Sequence, residues 1–131
     1  MNIEMFFDGN EDSGVLESIY QFRGPLEAYF KKKKYERQFP TIYIVYICLD
    51  AEVRFRKRLR YTKNNHLLSF DIILDPIEMV SLTHDQRVRV IIKKTIFDLD
   101  LILGKYEKKL GFQKNELIAD LIRFCQSQKW Y

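Results

Sequence analysis

The sequence predicts an α+β domain: an antiparallel meander of three to four strands, with helices packed mainly on one face, including one long helix in the C-terminal half. Three observations carry this expectation. Ile42–Leu49 is an unbroken run of β-branched, aromatic and other apolar residues, and Leu67–Leu74 alternates apolar with polar. From Val88 onward, apolar residues recur at helical spacing for about six turns. At 131 residues and 47% hydrophobic, the chain suits a single domain, residues 1–131, that buries its own core.

Each element has a local reason. Ile3–Phe7 reads as a first strand with Ile3, Met5 and Phe7 on one face. Asp8, Gly9, Asn10 and Asp12 mark a turn, and Ser13 stands where it can cap a helix. Val15, Leu16, Ile19, Tyr20 and Phe22 form the apolar stripe of that helix. Gly24-Pro25 is expected to break it, with Pro25 opening a second helix striped by Leu26, Tyr29 and Phe30. Lys31–Lys34 then falls at a helix C-terminus, where cations meet the negative end of the dipole.

Pro40 opens the β portion, and Ile42–Leu49 reads as a central strand covered on both faces. Asp50-Ala51 is expected to turn the chain into the arginine-rich strand Glu52–Tyr61, and Thr62–Asn65 to turn it back. In the next strand Leu68, Phe70, Ile72 and Leu74 face inward, Ser69 and Asp71 outward. Three consecutive strands joined by tight turns make a meander. Asp75-Pro76 ends the sheet, Ile77–Val80 makes one helical turn, and Thr83-His84-Asp85-Gln86 has the form of a capping box.

The long helix runs to about Lys109, roughly 39 Å at 1.5 Å per residue, with Gly104 tolerated inside it and Gly111 stopping it. Val90, Ile96, Phe97 and Leu101 lie off its main stripe, so the helix is expected to be sandwiched between the sheet and another helix. Leu117, Ile118, Leu121, Ile122 and Cys125 define a last helix, and Lys129-Trp130-Tyr131 is expected to pack back on the fold.

Charge is distributed unevenly. Residues 31–63 hold eleven Lys and Arg against three carboxylates, a net of +8, whereas residues 1–30 carry one Arg against six, a net of −5. Within the basic segment, Arg54, Arg56, Arg58 and Arg60 occupy every second position. In an extended strand all four would share one face, spaced about 6.6 Å apart in a row about 20 Å long. Like charges in a row oppose sheet formation, so the row points to an acidic partner. Arginine suits bidentate recognition of carboxylates or phosphates better than lysine does. A solvated or edge-protecting strand is the plainer explanation of the same row, and Lys57 between Phe55 and Leu59 agrees with it.

The remaining chemistry is sparse. His66 and His84 are the two histidines: one follows the Asn64-Asn65 turn, the other sits in the helix cap. No metal-ligand spacing, Gly-rich phosphate loop or nucleophile motif appears, and no cofactor is expected. Cys48 and Cys125 lie in apolar patterns and read as buried free thiols of a reducing compartment. The N-terminus lacks the basic and apolar regions of a secretory signal, and the longest apolar run is too short to cross a bilayer. A cytoplasmic, non-catalytic protein is expected.

The run L-L-S-F-D-I-I-L-D-P-I-E-M-V-S-L-T-H-D-Q-R-V-R-V-I-I-K-K-T-I, Leu67–Ile96, resembles small bacterial immunity proteins. These are the cognate inhibitors encoded beside polymorphic or contact-dependent growth-inhibition toxins. The resemblance covers about residues 66–125 and implies tight binding to a toxin domain in the cytoplasm, blocking its active site or a neighbouring surface. Arg54, Arg56, Arg58 and Arg60, with Tyr61 at the rim, are the expected partner-binding residues. Inhibitors of nuclease toxins are often acidic; this basic chain calls for an acidic toxin surface, or for contact through Glu4, Asp8, Glu11, Asp12, Glu17 and Glu27. The alternative is nucleic-acid binding, with arginines on phosphates and bases stacked on aromatics. Phe55 alternates to the face opposite the arginines, which weighs against it. Dimerisation through the long helix is left open by the residues.

Overall fold

Apolar alternation in the first and middle segments builds a sheet, in a computed structural model that describes residues 2–9, 13–32, 41–49, 59–62, 67–110 and 114–131. The chain runs β1 (Ile3–Gly9), α1 (Val15–Lys32), β2 (Thr41–Cys48), β3 (Leu59–Thr62), β4 (Leu67–Ile73), α2 (Pro76–Ser81), α3 (His84–Leu110) and α4 (Lys114–Ser127). Among the described residues the strands form one sheet in the order β1-β2-β4-β3.

The expected mixture of strands and helices is present, but the antiparallel meander is not. β1 pairs with β2 in parallel, Ile3 opposite Ile42, and β2 pairs with β4 in parallel, Ile42 opposite Leu68. β3 alone runs antiparallel, against β4. The reason lies in the connections. α1 carries the chain from the end of β1 back to the start of β2, and a helical crossover returns a strand parallel to the one it left. After β2 the chain reaches the far side of the sheet as β3 and comes back as β4 between them. Asp50-Ala51, expected as a tight turn, lies outside the described residues; β2 and β3 are not neighbours at all. Sequential strands are adjacent only about two-thirds of the time.

α1 is a single 18-residue helix, so Gly24-Pro25 does not break it. Its buried stripe Val15, Ile19, Phe22, Leu26 and Phe30 passes straight through, while Gly24 and Pro25 are exposed. Proline removes one backbone donor, and a lost bond on the solvent side is answered by water. Tertiary burial of the stripe outweighs the local preference.

The starts of α2 and α3 follow the sequence closely. Asp75 caps α2, accepting from the Ile77 amide at 3.0 Å, with Pro76 at the first position. The capping box is formed: the Thr83 amide donates to Gln86 Oε1 at 3.0 Å, and the Gln86 amide to Thr83 Oγ1 at 3.3 Å. At the end of α4, the Trp130 amide donates to Cys125 O at 2.9 Å and the Lys129 amide to Gln126 O at 3.0 Å. That is a Schellman motif, with Lys129 in the left-handed position at φ +63°. Glycine usually occupies it, since a Cβ there is strained. Lys129→Gly is therefore expected to raise stability by about 0.5–1 kcal/mol, read as a higher urea midpoint at unchanged m value.

The helices meet one face of the sheet. Ile3 and Met5 of β1, Ile42, Ile44, Tyr46 and Cys48 of β2, and Leu68, Phe70 and Ile72 of β4 are buried. They join one continuous core with the inner stripes of α1, α3 and α4. β2 is central, as expected, but its second face is only half-buried rather than covered. On that face Phe6 and Tyr43 pack edge to face, centroids 5.6 Å apart. The Tyr46 hydroxyl reaches Thr95 Oγ1 at 2.8 Å, and Thr95 Oγ1 donates to Ile91 O at 2.7 Å, so Tyr46 is the donor in the first bond. Burial raises the Tyr46 hydroxyl well above its ordinary pKa. Cys48 and Cys125 are both buried, and burial pushes the Cys125 thiol up to about 12, leaving it protonated and unreactive at neutral pH. Trp130 packs between Phe22 and Phe124, centroids 6.3 and 6.0 Å away, so the terminus folds back on the core.

Candidate partner-binding surface

β3 carries the last step of the arginine row. Arg60 and Tyr61 are backbone positions of this strand, opposite Ser69 and Leu68 of β4. Arg54, Arg56 and Arg58 lie outside the described residues, as does His66. Among the described strands β3 stands last in the sheet order, at the margin rather than in the middle of a meander. In the acidic N-terminal segment, Glu4 and Asp8 are exposed on β1 and Glu17 on α1, while Glu27 pairs with Arg23 at 3.2 Å; Glu11 and Asp12 lie outside the described residues.

Helix α3 shows a surface that the sequence pattern assigned elsewhere. Its core side is Val88, Ile91, Ile92, Thr95, Leu99 and Leu103, all buried. At about 100° per residue, Val90, Lys93, Phe97, Leu101 and Gly104 fall within a band about 80° wide on the opposite side. Phe97 is 64% exposed and Leu101 55%. The expected sandwich thus holds for Ile96, which is buried, holds in part for Val90, which is partly buried against the core, and fails for Phe97 and Leu101, which face away from it. The available signal was their angular position: a half-turn from the core stripe, a residue meets either solvent or another molecule.

Two open clefts flank this band. One, about 470 Å³, is lined by Ile72, Ile73, Lys93, Lys94, Phe97 and Asp98. The other, about 690 Å³, is lined by Phe70, Asp98, Asp100, Leu101, Ile102, Gly104, Lys105 and Lys114. Asp98 borders both, and Lys114 closes one wall by pairing with Asp100 at 3.0 Å. Phe70, at the floor of the larger cleft, is the register partner of Leu59 in β3, so the cleft lies beside the strand that carries Arg60.

The start of α3 is held firmly. Arg87, 9% exposed, donates from Nε to Met79 O and from a terminal nitrogen to Leu82 O, both at 2.8 Å. Its guanidinium thereby ties the C-terminal carbonyls of α2 to α3. Gly14, at φ +78°, packs against that guanidinium. His84, at the start of α3, contacts Gln21 Oε1 on the exposed side of α1 rather than facing a cleft. Lys93 Nζ lies 5.5 Å from the centre of the Tyr131 ring. No helix among the described residues is long and apolar enough to cross a membrane.

No curated protein and no solved structure matches the chain. A family model does: Immunity protein 44 matches residues 1–127. That span takes in every described strand and helix, the α3 band and the arginine row, which places this chain in the Immunity protein 44 family of bacterial toxin systems.

Proposed function

We propose that the protein neutralises a cognate toxin domain, of the polymorphic or contact-dependent growth-inhibition kind, by binding it in the bacterial cytoplasm. It acts as one domain, without catalysis or a cofactor. Arg54, Arg56, Arg58 and Arg60, with Tyr61 at the rim, meet an acidic surface of the toxin. The family match across residues 1–127 carries the reading. The marginal place of β3 in the sheet supports the choice of residues, since a strand there leaves room for a partner. Charge complementarity of this kind speeds encounter, and arginine paired with aromatic neighbours is a common source of affinity.

The test is calorimetric titration with the toxin domain encoded next to this chain. Arg56→Glu combined with Arg58→Glu is expected to weaken binding by about 30-fold or more while leaving the thermal midpoint within a few degrees of wild type. Unchanged affinity removes the row from the interface. A wild-type chain that ignores the toxin but binds RNA, with affinity falling steeply as salt rises, replaces this reading with nucleic-acid binding.

A further inference from the structure

We infer that the outward band of α3, Phe97 and Leu101 between Lys93 and Lys105, is a docking site for an apolar side chain on the toxin, set among toxin carboxylates. This rests on the reading of the chain as a toxin inhibitor, and adds to it a second contact surface, on α3.

A helix packed on a core by one stripe ordinarily turns charged and polar residues to water. α3 instead turns a phenylalanine and a leucine, 64% and 55% exposed, directly away from its buried side. They stand four residues apart, and neighbours at that spacing on a helix form one continuous patch. Clefts of about 470 and 690 Å³ adjoin the patch, so it is indented and can receive a protruding side chain. Gly104 keeps the larger one open, since a Cβ built there meets nothing nearer than the Lys114 side chain at 3.6 Å.

Charge decides the occupant. Lys93, Lys94 and Lys105 border the two clefts, and Lys114 is already engaged with Asp100. Against them stands Asp98, which leaves the rim cationic. In a two-fold dimer through this face, each lysine would approach its own copies, and like charges across an interface are unfavourable. An acidic partner meets no such opposition. Because Phe70 joins the larger cleft to β3, the lysine rim continues toward the arginine strand, and one negatively charged toxin face can span both.

The experiment titrates the toxin domain encoded beside this chain into three proteins: wild type, Phe97→Ser with Leu101→Ser, and Gly104→Gln. Both residues of the double variant are already exposed, so its fold is expected to survive. Gly104→Gln replaces a helix-interior glycine and fills the cleft, so its thermal midpoint should not fall. Each variant is expected to bind about 30-fold more weakly or worse. If wild type does not bind, the toxin-inhibitor reading itself fails. If wild type binds and both variants match it, this docking site alone is overturned. A wild-type dimer in sedimentation that the double variant dissociates also overturns it, in favour of a second copy of the chain.

Discussion

Phe22→Ala is expected to lower stability by about 3–5 kcal/mol, the usual cost of emptying a buried aromatic site. Phe22 is completely buried on α1, edge-on to Tyr46 at 6.1 Å and tilted toward Trp130 at 6.3 Å between ring centres. It therefore joins α1 to the central strand and to the C-terminal tail in one contact. Domains carry about 5–15 kcal/mol in total, so the variant should sit near the edge of folding. Urea denaturation followed by circular dichroism measures the loss. Tyr20→Ala, on the same helix but 63% exposed, is the control and should shift stability by less than about 0.5 kcal/mol. Similar midpoints for the two variants would show that α1 does not dock through its Phe22 face.

Gly14→Ala should be the next most damaging change, at about 2–4 kcal/mol. Two costs combine. At φ +78° an alanine sits in the left-handed region, worth about 1–2 kcal/mol. Its Cβ would also stand 2.6 Å from the Arg87 guanidinium, forcing that group from its bonds to Met79 O and Leu82 O. Hydrogen bonds from a charged donor are worth about 1.5–3 kcal/mol each, and partial retention keeps the sum below their total. The opposite sign is expected for Gly104→Ala, where φ is ordinary and the nearest neighbour is at van der Waals distance: a gain of about 0.5–1 kcal/mol. Two glycines with opposite responses in one denaturation series separate backbone strain from glycine content. A neutral Gly14→Ala would mean both that the backbone at position 14 relaxes out of the left-handed region and that Arg87 has another equally good resting place.

The features legible from residue order are those that depend on near neighbours. Thr83 and Gln86 cap α3 because they are three residues apart, and Asp75 with Pro76 starts α2 for the same kind of reason. The inward set Leu68, Phe70, Ile72 and Leu74 follows from a period of two. Gly24-Pro25 was misleading because a local propensity of a few kcal/mol competes with a buried stripe running the length of α1. Strand neighbours were not legible, since alternation states which face is buried and is silent on which strand lies alongside. Phe97 and Leu101 were readable as lying off the core stripe, but whether another element covers them depends on where that element goes.

Taken alone, the order of residues determined the caps that open α2 and α3, the inward face of β4, and that four arginines alternate through Glu52–Tyr61. These are short-range properties of a chain with known periods. Tertiary structure decided the rest: that β4 inserts between β2 and β3, and that α3 turns Phe97 and Leu101 to solvent beside two clefts. Such arrangements depend on contacts between segments far apart in the chain, whose free energies arise only once those segments meet.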